Sequence, residues 1–247
     1  PIEKGYKWGE EFGYCWFKTD FVVPDGLDGK DIFIRPHISC YEGTLWVDGV
    51  PYGNFCTKIV FTGHGNHYCD LLRKDAKAGD KIAIDLEYYA GHSYKGCHPT
   101  ENLPLLTYDF SYEGIDICVK NYAVQEFYFD LRTLVQLVKN LPDSSFRRAS
   151  VINELEQVFR EIYQSPDDVD RDECMAALER AKPYLKKALS VKNGDDAPKA
   201  VLIGHSHMDT AWLWHVGETI KKCARTYSNQ LNLMEQYPEY EFVQSSA

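Results

Sequence analysis

Two histidines and an aspartate at alternate positions, His205, His207 and Asp209, form the part of this chain whose residue types and spacing are best suited to chemistry. The apolar run 200–203 precedes them and predicts a buried strand, and Gly204 then opens the chain toward a loop. Because alternate residues at the end of a strand point the same way, we expect the three side chains to converge. Imidazole nitrogen and carboxylate oxygen are donors that zinc prefers. The pattern therefore predicts a divalent metal site.

Two aromatic residues, Trp212 and Trp214, follow this motif directly. A flat ring beside polar ligands suits a sugar, which has an apolar C–H face and a hydroxyl edge. The simplest interpretation of the whole segment is one wall of a metal-assisted carbohydrate site.

Other interpretations of the histidine pair remain open at this point. A His-x-His pair can be a hydrogen-bonded structural feature of the surface or the core. A site like that of the metallo-β-lactamases needs a histidine directly after the aspartate, where this chain has Thr210. An amidohydrolase places its His-x-His at the end of a barrel strand and takes further ligands from other strands, which is compatible with this motif.

The elements around the motif predict a parallel β-α-β unit. Residues 218–237 predict one amphipathic helix, which Pro238 ends, and Glu241 begins a second apolar segment with strand character. The apolar side chains of the helix recur at steps of three or four residues, and they are Ile220, Cys223, Tyr227, Leu231 and Met234. Strand, ligand loop, helix and strand in this order predict a site at the carboxyl end of a parallel sheet.

This segment resembles the glycoside hydrolase family 38 α-mannosidases. The resemblance is carried by three stretches of sequence, Gly-His-Ser-His-Met-Asp-Thr-Ala-Trp-Leu-Trp (204–214), Lys-Cys-Ala-Arg-Thr-Tyr-Ser-Asn (222–229) and Leu-Met-Glu-Gln-Tyr-Pro (233–238). It is strongest to the bacterial and cytosolic branch of the family. The resemblance implies a retaining α-mannosidase that acts on α-mannoside oligosaccharides with one divalent metal ion, zinc or another such as cobalt.

Carried over position by position, the resemblance makes His207 and Asp209 the metal ligands of this chain and Trp212 the ring that stacks on the mannose at the scissile bond. His205 is then a residue that orients its neighbours by hydrogen bonds, a role that metal sites commonly need. Trp214 is expected to pack within the catalytic domain, and His215 to have no direct role.

The family's remaining catalytic groups have no counterpart among these 247 residues. The family completes its metal site with another aspartate and a distant histidine, and takes its nucleophile and its acid/base carboxyl group from later sequence. Retaining hydrolysis needs two carboxyl groups about 5–5.5 Å apart. We therefore assign no catalytic residue within this chain and expect it to be inactive by itself.

The region before the motif divides into three parts. Residues 1–121 alternate short Tyr-, Phe-, Val- and Ile-rich runs with turns such as 23–26 and 48–51, which predicts an antiparallel β-sandwich. Its motif order resembles the galactose-binding-like jelly roll that precedes many glycosidase domains. Residues 122–190 have helical periodicity and form a connector, 191–198 form a polar linker, and 199–247 begin an α/β, barrel-like catalytic domain.

Sugar binding by the sandwich is a second hypothesis for its exposed aromatic and histidine residues. The candidates are Trp8, Trp16, Trp46, Tyr52, His64, His67, His92 and His98. We favour a structural role, with Trp16 and Trp46 in the core and the histidines in surface loops.

Composition limits the partners of the chain. A net charge of −10 without an extended basic cluster argues against nucleic acid. No run approaches the roughly 20 apolar residues that span a bilayer. The eight cysteines lack CxxC spacing and predict reduced thiols in a cytoplasmic protein. Association into a homo-oligomer remains open. The alternatives to an α-mannosidase are a non-catalytic carbohydrate-binding or assembly module and another metal-dependent hydrolase.

Overall fold

The computed structural model describes residues 1–40, 42–56, 69–91, 108–162, 170–192, 194, 198–212 and 214–244. They form two compact units, one made of residues 1–119 together with 201–247 and the other of residues 120–200. The segment that carries the metal motif thus packs in the same unit as the N-terminal sheets.

Two antiparallel four-stranded sheets make up the N-terminal part of the first unit. The strands are β1 (Tyr6–Trp8), β2 (Tyr14–Val22), β3 (Lys30–Ile38), β4 (Glu42–Val47), β5 (Val50–Phe55), β6 (Asp70–Ala76), β7 (Lys81–Tyr89) and β8 (Phe110–Val119). One sheet has the order β1-β8-β3-β6 and the other β2-β7-β4-β5. The predicted antiparallel architecture is confirmed, whereas the jelly-roll assignment stays a prediction.

A single hydrophobic core lies between these sheets. Alternate residues of each strand turn inward, among them Ile32 and Ile34 of β3 and Ile84 and Leu86 of β7, all at most 1% exposed. Trp8 joins this core, with its ring centroid 6.1 Å from that of Phe17 on the opposite sheet.

The prediction that Trp16 is a core residue is wrong. Trp16 is 43% exposed, because β2 turns it to the outer face of its sheet, where its ring lies 5.6 Å from that of Trp46. Trp46 is half-buried on the same face. These two rings cover each other across β7 instead of filling the interior.

Three helices form the second unit, as the periodicity predicts. They are α1 (Tyr122–Asn140), α2 (Phe146–Ile162) and α3 (Arg171–Ser190), and their apolar stripes meet in a core that includes Leu134, Val158 and Leu185. Ser145 accepts a hydrogen bond from the backbone N–H of Arg148 and so caps α2. The helix α3 continues past Pro183 to Ser190 without ending.

The predicted buried strand before the motif is not formed in the described residues. Val201 is 85% exposed and Leu202 93%, and only one parallel bridge, between Gly204 and Phe242, joins this segment to the one after the helix. Because no neighbouring strand among the described residues lies against the run, its apolar side chains are uncovered. The β-α-β unit is thereby reduced to a bridge, a loop and a helix, and the barrel-like domain stays a prediction.

The helix after the motif, α4 (Val216–Gln236), turns its polar face to the sheets. Its buried side chains are Glu218, Arg225, Ser228, Gln230 and Asn232. On the apolar stripe, Ile220 is 67% exposed and Leu231 68%. This is the reverse of the usual orientation of an amphipathic helix, in which the apolar stripe faces the core.

Candidate functional site

The motif lies in an irregular segment between the Gly204 bridge and the start of α4. His207 and Asp209 are adjacent there, with 3.1 Å between Nε2 of the histidine and Oδ1 of the aspartate. Their side chains are accessible, 80% exposed for His207 and 38% for Asp209. The alternate spacing therefore brings these two donors together, as the sequence predicts.

The pair suits a shared divalent ion. Two donors bound to one zinc ion at about 2.0–2.2 Å lie roughly 3–3.5 Å from each other, and the observed separation falls in that range. Within the described ranges, no group of three or more His, Cys, Asp or Glu side chains could hold a metal. The two donors alone would fill half of the four positions of a tetrahedral zinc ion.

The expected convergence of His205 with His207 and Asp209 is not observed, because no group of three such donors forms among the residues that the structure describes. The Nδ1 atom of His205 is 3.3 Å from the carbonyl oxygen of Val243, so this histidine contacts the chain segment on the other side of the Gly204 bridge. Trp212 is 58% exposed, which leaves its ring accessible. The assignment of His205 to orientation and of Trp212 to sugar stacking stays a prediction.

Trp214 and His215 connect the motif to α4. The indole N–H of Trp214 donates to Oγ1 of Thr219 at 3.1 Å, and the Lys222 ammonium lies 4.6 Å from its ring centroid. The carbonyl of His215 accepts the backbone N–H of Glu218 at the start of the helix. Trp214 therefore packs on α4, and His215 caps the helix through its backbone.

Two side chains of α4 hold the ends of the motif. Gln230 donates from Nε2 to the hydroxyl of Ser206 at 3.2 Å, one residue before His207. Thr219 donates from Oγ1 to the carbonyl of Thr210 at 3.0 Å, one residue after Asp209. Both contacts flank the candidate metal ligands closely and leave the ligand side chains accessible.

A buried charge cluster holds α4 on the second sheet. Its members are Tyr14 of β2, Glu42 of β4 and Glu218, Lys222 and Arg225 of α4. Arg225 donates to Glu218 and, at 2.8 Å, to Glu42, which also accepts from Lys222 at 2.9 Å. The hydroxyl of Tyr14 donates to Glu218.

Burial and neighbouring charges together shift the pKa values of two residues in this cluster. Glu218 and Arg225 are 4% and 3% exposed. Burial opposes the charged form of Arg225, but the carboxylates of Glu42 and Glu218 outweigh it and raise its pKa. Burial, the hydrogen bond to Glu218 and that carboxylate's charge raise the pKa of Tyr14, so its phenol stays protonated.

A second polar contact lies toward the end of α4. Asn232 donates to the carbonyl of Tyr52 at 3.1 Å, and Gln236 donates to Asn232 at 2.6 Å. The hydroxyl of Tyr52 donates to Glu235 at 2.9 Å. Tyr52, a sequence candidate for sugar binding, is therefore a helix contact.

The sequence pattern pointed to the candidate pair His207 and Asp209 but not to the residues that support the motif. Glu42 and Tyr14 are about 180–200 positions from their partners, so no local pattern could pair them. The spacing of Glu218, Lys222 and Arg225 at four and three residues was a usable signal, because it places three charges on one helix face. His64, His67, His92 and His98 lie outside the described residues.

Comparison with protein-family models gives a match over residues 197–247, to the model described as glycosyl hydrolases family 38 N-terminal domain. Alpha-mannosidase G of Dictyostelium discoideum is 29% identical over 261 residues, which cover 99% of this chain and 22% of that protein. Alpha-mannosidase 2C1 of Mus musculus is 25% identical over 256 residues, covering 100% of this chain and 23% of that protein. The chain thus spans about a fifth of the length of these curated relatives.

Among solved structures, the β-glucuronidase of Ruminococcus gnavus aligns over 45% of this chain and 20% of its own, with a TM-score of 0.29 and 16% identity. Among the described residues, no helix is long and apolar enough to cross a membrane.

Proposed function

We propose, from the premise that this chain is a relative of the family 38 α-mannosidases, that the whole protein hydrolyses α-mannosides. The observation that carries the proposal is the pairing of His207 with Asp209 inside the very segment that matches the family model. A chance match of residue types would not require the two side chains to lie 3.1 Å apart with both exposed.

In this proposal His207 and Asp209 hold a divalent ion, most favourably zinc, through imidazole Nε2 and carboxylate Oδ1. When bound by these residues, the ion would supply Lewis-acid chemistry beside the substrate. Asp209 is the anionic donor of the pair and offsets part of the charge of the ion. Trp212 offers an accessible ring on which the sugar stacks, and His205 orients the segment through its contact with the Val243 carbonyl.

The catalytic carboxyl groups are proposed to lie outside this chain. Retaining glycoside hydrolysis needs a nucleophile and an acid/base group about 5–5.5 Å apart. The resemblance assigns both of these groups to later sequence, so we expect the chain alone to be inactive. The resemblance to the cytosolic branch supports a cytoplasmic location.

The test compares metal content and mannoside hydrolysis in the whole protein and in its Asp209→Ala variant. We expect about one zinc ion per chain and release of mannose from an α-mannoside but not from the matching β-mannoside. Asp209→Ala should lose metal and activity together. A matched control is Asp143→Ala, because that side chain is 95% exposed and lies in the helical unit.

Two results would overturn the proposal. An Asp209→Ala variant with full metal content and turnover would show that the ligand assignment is wrong. A whole protein with neither metal nor activity would favour the non-catalytic binding module.

A further inference from the structure

We propose that Thr219 and Gln230 are positioning residues, which hold the metal motif in its binding conformation from the two ends while the charge cluster holds α4 on the sheet. The inference rests on the proposed function for its metal, whereas the hydrogen bonds that support it are observed in this chain. It gives the N-terminal sheets an indirect role in metal binding, through their contacts with α4.

The motif is exposed and has no regular secondary structure that would order it. His207 is 80% exposed on its side chain and Trp212 is 58% exposed, and residues 205–212 contain no regular helix or strand. Ordering a residue of such a segment costs about 1–2 kcal/mol of backbone entropy. If metal binding had to order the segment, this cost for each residue ordered would be subtracted from the free energy of metal binding. Contacts that order the segment beforehand therefore raise the affinity for the metal.

The two contacts from α4 lie directly beside the candidate metal ligands, one before His207 and one after Asp209. Ser206 lies between the two histidines, and its hydroxyl accepts from Gln230, which is 8% exposed. The amide oxygen of Gln230 accepts from Tyr240 at 2.6 Å, so the amide is held at both ends. At the other end, Thr219 donates to the Thr210 carbonyl and accepts from the indole of Trp214.

The helix α4 can fix the position of the motif only if its own position on the sheet is fixed. Its contact with the second sheet is made by charged and amide groups whose hydrogen bonds have directional geometry, unlike a contact between apolar faces. Arg225 joins Glu42 and Glu218, and Asn232 meets the Tyr52 carbonyl about two turns further along the helix. A slide by one turn would leave several buried polar groups without partners, at roughly 1–3 kcal/mol each. One position of α4 on the sheet is therefore favoured.

The test uses the whole protein and two variants, each of which removes the contact that α4 makes with one end of the motif. Thr219→Val keeps the shape of the side chain but can neither donate to the Thr210 carbonyl nor accept from the Trp214 indole. Gln230→Glu keeps the acceptor for Tyr240 but has no donor for Ser206 when ionised. Thr226→Val is the matched control, since it makes the same change on the same helix, and Thr219→Ser should restore the hydroxyl.

Zinc affinity, measured by competition with a chelator, is the first readout. We expect Thr219→Val to weaken it by about 10-fold or more, as loss of a group that orients a metal ligand typically does. Thr219→Ser should recover most of the affinity, and Thr226→Val should leave it unchanged. KM for the mannoside, measured at saturating zinc, should change less than zinc affinity, because the substitution removes a contact within the protein and no group proposed to touch the sugar.

Hydrogen exchange of the metal-free protein is the second readout and needs no activity. Residues 205–211 should exchange faster in Thr219→Val than in Thr226→Val, while α4 keeps its protection. Equal exchange and equal zinc affinity in Thr219→Val and Thr226→Val would overturn the inference. If the wild-type protein binds no zinc and releases no mannose, but the exchange difference is present, the proposed function fails and the positioning of the motif stands.

Discussion

Glu42 and Arg225 are 183 positions apart in the sequence, yet Oε2 of the glutamate accepts a hydrogen bond from Nη2 of the arginine at 2.8 Å. One lies on a strand of the N-terminal sheets and the other on the helix that follows the metal motif. Because Arg225 is 3% exposed, this bond is made in a poorly solvated environment where a charge without a partner is costly. The N-terminal sheets and the segment that matches the family 38 model are therefore coupled parts of one compact unit.

Arg225→Ala should destabilise the first unit strongly. The change leaves the carboxylates of Glu218 and Glu42 without their main buried partner, and breaking a buried ion pair in this way costs about 3–5 kcal/mol. Urea unfolding followed by far-UV circular dichroism measures the free energy of unfolding. Lys81→Ala, which removes an exposed pair with Asp20, should cost less than about 1 kcal/mol. A loss from Arg225→Ala no larger than that control would show that the cluster contributes little.

Alkaline pH should weaken the docking of α4 through Tyr14. The pKa of this phenol is raised in the folded protein, by burial first and then by Glu218, above its ordinary value of 10.0. The stabilisation is therefore fully present below about pH 10 and is lost as the pH rises, because the unfolded chain then releases the proton and the folded chain retains it. Urea midpoints at pH 8 and pH 11 should fall less steeply in Tyr14→Phe than in the wild type.

The matched control for Tyr14 is Tyr6→Phe, whose side chain is 47% exposed. Some alkaline slope should remain in Tyr14→Phe, since burial and Glu235 also raise the pKa of Tyr52. Identical slopes in the Tyr14→Phe and Tyr6→Phe variants would contradict the assignment of Tyr14 to the cluster.

The close approach at Gly53 should make this position intolerant of any side chain. A Cβ atom there would clash with Oδ2 of Asp70, a carboxylate that is 1% exposed and accepts the backbone N–H of Asn54. We expect Gly53→Ala to cost about 1–3 kcal/mol by overpacking, read from thermal unfolding. Gly26→Ala is the control, because a Cβ at Gly26 meets nothing within 4 Å. A neutral Gly53→Ala would mean that Asp70 moves aside freely.

Local patterns predicted the elements well where the partner of each residue is near in sequence. The Asp48-Gly49 turn between β4 and β5 has positive φ at both residues, 52° and 81°, as an Asp-Gly hairpin requires. The alternation in β7 and the periodicity of α1 and α2 likewise predicted their positions. In the motif, alternate spacing was enough to bring His207 beside Asp209.

Patterns failed where burial depends on distant partners. The apolar run at Val201 and Leu202 predicts a buried strand, but burial needs neighbouring strands, and the sequence of the run cannot state whether they are present. For α4, the amphipathic pattern identified the helix but not the face that meets the sheet. That choice was made by Glu42 and Tyr14, whose charge and hydrogen bond attract Arg225 and Glu218 to a polar surface.

Replacing Trp212 by alanine should separate sugar binding from metal binding in the whole protein. The ring is 58% exposed and is not a metal donor, so its loss should leave zinc content near normal while raising KM for an α-mannoside by roughly 10-fold, equivalent to about 1.4 kcal/mol. Trp16→Ala is the matched control, since Trp16 is also partly exposed but lies on the sheet face beside Trp46. Loss of zinc in Trp212→Ala would make the ring a structural support of the motif. A KM increase in the Trp16 variant instead would place the sugar on the N-terminal sheets, because only a ring that touches the substrate changes its binding without changing the metal.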